Sequence, residues 1–411
     1  MILKELTINE FNAFTSNNYI SVYQCIEYAN TMNYHGFDYI YYGIIDNNII
    51  YGASLILIKK IHGFKDAYVP RGYIINYNNY DLIKEFTDQL KRALKKKGVV
   101  GMIINPPIVK SIYQNKQLIT NNNYDLIFNN LKFLKYKHLG YNNYFEGLKP
   151  RFEAVIPLSK NILKLFNNIN KSFRTKIRSA DSNGIKIFKG DKKDLNNLFT
   201  QTKNKYPRDL KYFEDLYDSF KDLIEIYYAK LNTSDYVRNV QYKYQRQALK
   251  CNEANANVFK NVKNNNTKTI NRKLYEENKL NLIREELVYA TKLLKDYPDG
   301  IIAASILIIK NKTEVYMIMD GYDKEYKKMN AKHLLIWKLM EKFANDGYKT
   351  FNLGGISNYN LSNNKYSGLT NFKLGFGSNV YEYMGDLELV INKPFHIMYK
   401  QSSAVIDLLK K

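Results

Sequence analysis

Two stretches of the chain, Gly52–Lys60 (GASLILIKK) and Ala303–Asn311 (AASILIIKN), follow one pattern of polar and apolar positions. Ala53 and Ala304, Ser54 and Ser305, and Lys59 and Lys310 align around an apolar run rich in β-branched residues, which predicts a strand. The spacing then turns helical, with Leu82, Phe86, Leu90 and Leu94 after the first run and Leu335, Leu339 and Phe343 after the second. Gly98 and Gly347 stand where each helix should end. A further strand follows in both places, leading to VVGMIINPP and to YKTFNLGG. Order, spacing and residue type all agree, so one α/β unit occurs twice.

Between Asp235 and Asp299 the period changes. Val237, Tyr244, Cys251 and Val258 recur one heptad apart, with Val240 and Ala254 at the second apolar heptad position. Beyond the polar break KNNNTKT (263–269) the pattern resumes with Leu280, Ile283, Leu287, Ala290 and Leu294. An antiparallel helical hairpin is expected, closed by the turn sequence Asp296-Tyr297-Pro298-Asp299-Gly300. Its outer faces are full of Lys, Arg and Asn, which suits a solvated spacer and equally an arm that follows an RNA backbone.

The unit of strand, hairpin, helix and strand resembles the N-acetyltransferase-like fold. The expected class is α+β: two tandem domains of that kind with an inserted antiparallel coiled-coil hairpin. The division reads 1–150 for the first domain, 151–234 with 299–394 for the second, 235–298 for the arm, and 395–411 for a C-terminal helix. Neither copy carries the Q/R-x-x-G-x-G/A loop that would wrap a pyrophosphate at a helix N-terminus, which argues against coenzyme A as donor.

Composition narrows the partners. The 411 residues exceed what one core usually serves, and 45% apolar residues are enough for ordinary cores. Sixty-two basic residues against 39 acidic ones, a formal charge of +23, favour a polyanion: nucleic acid, an anionic membrane surface or a diphosphate. Cys25 and Cys251 are too few for a disulfide framework and lack metal-ligand spacing, so a reducing cytoplasm is expected, with each thiol a small buried hydrophobe. The opening MILKELTINEFNAF lacks the apolar stretch of a signal peptide, and the run Ile301–Ile309 is too short to span a bilayer, so a soluble protein is expected.

Three constellations hold candidate chemistry. In NKSFRTKIRSADSNGIKIF (170–188), Arg174 and Arg178 share one helix face, as a phosphate- or RNA-facing ridge or as a solvated surface. In YPRDLKYF (206–213), Arg208 and Tyr212 stand one turn apart and offer a planar cation and a phenol to one phosphate-bearing ligand. The third joins FNLGGISN (351–358) to GLTNFKLGFGSN (368–379). Gly354 and Gly355 permit close backbone approach, and Lys373, flanked by Phe372 and glycines, suits either the oxyanion of an ester under attack or, with a depressed pKa, a base.

Taken in order, these residues resemble the FemABX family, the peptidoglycan-bridge aminoacyltransferases. The carriers are R-x-x-I-R-x-A-x-x-x-G-I at Arg174–Ile185, R-x-x-x-Y-F at Arg208–Phe213, HLLIWKLMEKFANDGYKTFNLGGI at His333–Ile356, and GLTNFKLGFG at Gly368–Gly377. The resemblance covers nearly the whole chain and points to the branch with a coiled-coil arm. It implies an aminoacyl-tRNA donor, glycyl favoured over alanyl or seryl, and an acceptor amine on the stem peptide of lipid II or UDP-MurNAc-pentapeptide. No cofactor is implied, since the aminoacyl-tRNA is a co-substrate; nor is a metal. Lys373 takes the place of the lysine held to stabilise the tetrahedral intermediate, and Arg208 and Tyr212 fall near the acceptor's phosphates. Phe372, Gly354, Gly355 and Asn105 are expected to line the substrates. A cytoplasmic protein peripheral to the inner membrane face, dimeric with itself or a related transferase, would fit. The chain departs from the family pattern in two places: Met32 follows the Gln24–Tyr28 motif where some members have a phosphate-binding lysine, and Asn105 stands where an aspartate often precedes the proline. Those departures keep open a member that only binds tRNA or lipid II, and an acyltransferase using another activated donor is the third reading.

Overall fold

In the computed structural model both copies of the repeated run are central strands, one in each of two sheets. Residues 1–18, 21–114, 117–145, 147–203, 208–260, 267–361 and 364–409 are described. In the first copy, Ile49–Ile61 pairs antiparallel with Asp38–Asp46 and with Phe64–Pro70. The helix Tyr80–Lys96 then carries the chain to Val99–Asn105, which runs parallel to Phe64–Pro70. The second copy repeats this with Ile301–Asn311, Glu314–Tyr322, the helix Ala331–Asn345 and Thr350–Ile356. A parallel pair needs a crossover, and the amphipathic helix supplies it. Leu82, Phe86, Leu90 and Leu94 are buried along the first helix, Asn79 caps it by accepting from the Leu82 N–H, and Gly98 follows its end as expected.

The repeated runs are apolar without alternation because both faces of each strand are covered. Ile56 and Ile58 pack into the core under the first helix, while Leu55 and Leu57 point the other way. Ile306 and Ile308 likewise face the second unit's own core, and Leu307 and Ile309 belong with Leu55 and Leu57 to a third, shared cluster that also holds Tyr28, Ala29, Phe213 and Leu216 of covering helices. The two units therefore meet through helices laid over those second strand faces, with Ile26–Tyr34 of the first packed against Leu210–Phe220 of the second.

The sheets also exchange strands across the division drawn at residue 150. Val109–Gln114 and Gln117–Thr120 leave the first unit and extend the second sheet beyond Asn379–Tyr383. Leu387–Val390 returns from the second unit to lie between Val99–Asn105 and Lys137–His138 in the first sheet. The hairpin arm, Thr233–Lys260 with Thr267–Asp296, is inserted between the paired strands Ile224–Leu231 and Ile301–Asn311. Val237, Val240, Cys251 and Ala254 are buried along its seam, as is Ala290. One seam position is polar: the Gln247 amide donates to the Glu276 carboxylate at 2.6 Å and to its carbonyl at 3.2 Å, a device that fixes register. Most of the predicted Asn-rich turn lies outside the described residues. The helix Lys393–Leu409 ends the described chain, and no described helix is long and apolar enough to cross a membrane.

A buried ion pair joins the halves. Arg71, at the end of a first-sheet strand, donates to Glu153 of the second sheet at 2.6 Å, to Asn105 Oδ1 at 2.9 Å and to the Pro150 carbonyl at 2.8 Å. Its guanidinium also lies 3.8 Å from the centroid of the Tyr383 ring. Arg71 and Glu153 are 4% and 2% exposed, so removing one partner leaves an uncompensated buried charge. Arg71→Met should lower the unfolding free energy in urea titration by about 3–5 kcal/mol, and adding Glu153→Gln should recover roughly half of that loss.

Candidate functional site

Lys373 stands in the last turn of a short helix, Ser367–Leu374, and is only 6% exposed. Its ammonium donates to the Gly355 carbonyl at 2.8 Å. Burial, partly opposed by Asp320, lowers its pKa to about 8, so it is mainly charged at neutral pH and titrates just above it. Two glycines bring the strand end this close. Gly354 has φ +74, and a Cβ there would sit 3.7 Å from Lys373 Nζ. At Gly355 a Cβ would fall 2.4 Å from Pro150, so only a bare backbone fits between the lysine and the linker.

Phe372 is half-buried beside the lysine, with the Lys332 ammonium 4.3 Å from its ring centroid. Lys332 is in turn ion-paired with Asp320. His333 lies edge-on to Phe372 at 5.2 Å and to Phe173 at 4.7 Å, and neither of its ring nitrogens has a hydrogen-bond partner among the described residues. Burial, helped by Lys176 and Lys332, lowers its pKa to about 4 and keeps it neutral.

Arg208 and Tyr212 come together as expected. Asp209 caps the helix Leu210–Phe220 by accepting from the Tyr212 N–H, and the Arg208 guanidinium lies 3.9 Å from the Tyr212 ring centroid. Tyr206 and Pro207 of that motif lie outside the described residues. A line of tyrosines connects this pair to Lys373. Tyr316 OH donates to Glu153 at 3.2 Å and would stand 3.9 Å from a Cβ on Gly354. Tyr23 meets Tyr316 edge-on at 5.7 Å and Tyr28 at 5.1 Å, and the charges felt by Tyr28 include Tyr212 and Arg208. Lys373 and Arg208 are thus the two ends of one run of largely buried side chains where the halves of the molecule meet.

The other predicted positions are placed differently. Asn105 is fully buried, its Oδ1 accepting from Arg71 and its amide donating to Asp386, so its contacts lie inside the protein. Arg174 and Arg178 do share a helix face, but their contacts are local: Arg174 donates to Asn167 Oδ1 at 3.0 Å, and Arg178 lies 5.2 Å from the Phe166 ring. Gln24, first residue of the motif ending at Tyr28, is a structural plug, bonded through its amide to the Leu55 backbone and the Pro70 carbonyl. Burial pushes the Cys25 thiol well up, away from a nucleophile's thiolate. No described group of His, Cys, Asp or Glu is arranged to hold a metal ion.

Sequence reasoning missed Arg71, Glu153, Lys149, Tyr316 and His333. The available signal was a lone charge inside an apolar stretch, as in FEAVIP (152–157) and VPRGY (69–73). It also missed a groove of about 620 Å³ where the arm meets the helix Lys171–Ser182, lined by Lys243, Arg246, Lys250 and Lys279.

Comparison with known proteins covers almost all of this architecture. A family model described as the FemAB family matches residues 6–404. An aminoacyltransferase FemA of Staphylococcus epidermidis is 26% identical over 86% of this chain and 87% of its own length. A lipid II:glycine glycyltransferase of the same species is 24% identical over 86% of this chain and 84% of its own. The crystal structure of FemX superposes with a TM-score of 0.74 at 21% identity, covering 97% of this chain and 99% of that one.

His333 yields a stability test. An imidazole whose folded pKa lies below its unfolded value, here about 4 against 6.5, binds fewer protons when folded. Its contribution is complete above about pH 6.5 and is lost as the pH falls through about 4. Urea midpoints of His333→Phe should therefore fall less steeply than those of wild type between these values.

Proposed function

We propose that this chain, which belongs to the FemAB family, is an aminoacyltransferase that builds peptidoglycan bridges by moving glycine from glycyl-tRNA to an amine on lipid II or its UDP-linked precursor. The observation that carries the reading is the buried Lys373 ammonium at the Gly354–Gly355 strand end, joined through Tyr316 and Tyr23 to Arg208 and Tyr212. The lysine suits the activated ester, and the arginine suits the acceptor's diphosphate.

In this mechanism the acceptor amine attacks the ester carbonyl carbon, and the carbonyl oxygen gains negative charge. Lys373, held by the Gly355 carbonyl and shielded by Phe372, presents its remaining N–H groups to that oxygen. Because Lys373 is buried, such a preplaced charge acts more strongly on the developing oxyanion than it would in water. The intermediate collapses by breaking the bond to the ribose, whose oxygen leaves with the proton given up by the attacking nitrogen, while the new amide remains. The ester arrives activated, so the step as proposed calls for no nucleoside triphosphate and no metal. The lysine- and arginine-lined groove under the arm matches a phosphodiester backbone, and the net charge of +23 favours contact with an anionic membrane surface where lipid II resides.

The test is transfer itself. Purified protein, lipid II and charged tRNAs, with one amino acid labelled at a time, should place label on the lipid from glycine and none after ribonuclease treatment. Labelling that survives ribonuclease would remove tRNA from the reaction, and bound tRNA without transfer would leave a binding protein. Lys373→Met should lower the transfer rate by about 10²–10³ with acceptor affinity retained. Because the charged lysine is the active form, the wild-type rate should decline as the pH rises through about 8, and that decline should be absent from the residual activity of Lys373→Arg. Reversing Lys243, Arg246 and Lys250 to Glu should weaken tRNA binding and flatten the slope of log Kd against log salt by about 2–3, leaving acceptor binding unchanged.

A further inference from the structure

Lys149 lies on the linker between the two halves and has no place in the mechanism above. Its ammonium stands 3.3 Å from the Tyr23 ring centroid and 5.3 Å from that of Tyr28, and donates to Tyr28 OH at 3.4 Å. The charges acting on it are Arg208 and Arg71 on one side and Glu153 and Asp386 on the other. Both carboxylates are already engaged. Glu153 is paired with Arg71 and accepts from Tyr316 and Asn352, while Asp386 accepts from Asn105 and the Leu148 N–H. Among the described residues Lys149 itself forms no ion pair.

A cation drawn out of water without a counter-ion either gives up its proton or takes up an anion. Here burial, then Arg208 and Arg71, push the Lys149 pKa well below its ordinary value. The faces of Tyr23 and Tyr28 offset part of that cost by cation–π attraction and hold the ammonium in place. Arg208 contributes a planar fork and Lys149 a point charge, a combination that suits phosphate oxygens. We propose that Lys149 is the second cation of a diphosphate-binding subsite, formed with Arg208 beside Tyr28 and Tyr212, that holds the acceptor. The inference deepens the acceptor half of the proposed function and rests on it. It also locates a cation on the linker, where Met32, one turn beyond Tyr28 on the helix Ile26–Tyr34, supplies none.

The experiment is calorimetric titration of the full chain with uridine diphosphate, and separately with inorganic pyrophosphate, at a series of pH values from neutral upwards, each in two buffers of different ionisation enthalpy. Wild type should bind, and as the pH of the titration is raised towards the ordinary lysine pKa of about 10.4 it should take up protons on binding, as Lys149 charges against the phosphates. Lys149→Met should bind about 10- to 100-fold more weakly, the worth of one charge-assisted hydrogen bond, and without that proton uptake. Lys149→Arg should keep most of the affinity but lose the uptake, because its charge is permanent, and this variant serves if Lys149→Met does not fold. Met32→Lys in the Lys149→Met background should restore part of the binding. Binding of uridine diphosphate but not pyrophosphate would identify a nucleotide-linked acceptor, and equal binding a diphosphate held without its nucleoside; both support the subsite. Unchanged affinity in Lys149→Met, weak binding by Lys149→Arg, or no binding of either probe by wild type overturns it. These titrations contain no tRNA, so failed glycine transfer would leave a positive result standing, and intact transfer would not rescue a negative one.

Discussion

The interaction on which the rest depends is the buried pair of Arg71 and Glu153. Arg71 ends a strand of the first sheet, Glu153 begins one of the second, and the same guanidinium reaches Asn105 and the Pro150 carbonyl of the linker. A guanidinium so placed must be met on every side, because an unmatched donor at this depth costs more than the pair contributes. Glu153 meets the same demand through Asn352 and Tyr316, which carry the network towards Gly354 and Lys373. The network that locks the halves together therefore also aligns the residues around the site.

The outer faces of the repeated strands explain how two such units come to share a core. Each presents one set of alternate residues to its crossover helix and the other, Leu55 and Leu57 or Leu307 and Ile309, to a cluster shared with the helices Ile26–Tyr34 and Leu210–Phe220, which pack against each other between the units. Exchange of Val109–Gln114 and Leu387–Val390 between the sheets adds backbone hydrogen bonds to this apolar contact. The result is a stiff frame with its polar seam at one edge of the shared core. Lysines 149 and 373 both reach that seam, and for both it is burial that lowers the pKa most. A site built from partly desolvated cations suits groups that bring negative charge, which in the proposed reaction are a diphosphate and a developing oxyanion.

Local pattern was enough for the repeat, its two crossover helices and the hairpin arm, because period and end signals are properties of short segments. It was also enough to single out Lys373 between aromatics and glycines and to put Arg208 one turn from Tyr212. What only the tertiary structure decided were contacts between residues far apart in the chain. Asn105 reads as a candidate ligand in sequence, yet its environment is Arg71 and Asp386, and the latter arrives from the far end of the second unit. Lys149 reads as one linker lysine among many until Tyr23, Tyr28 and Arg208 close around it. His333 stands in the first turn of its helix, off the Leu335–Leu339–Phe343 pattern, and only packing against Phe173 and Phe372 makes its ring neutral and leaves it without a hydrogen-bond partner among the described residues. Strand exchange left no local mark either, since a short apolar strand can join either sheet with the same side chains. Periodicity is written along the chain, whereas burial and charge pairing belong to neighbours that only folding supplies.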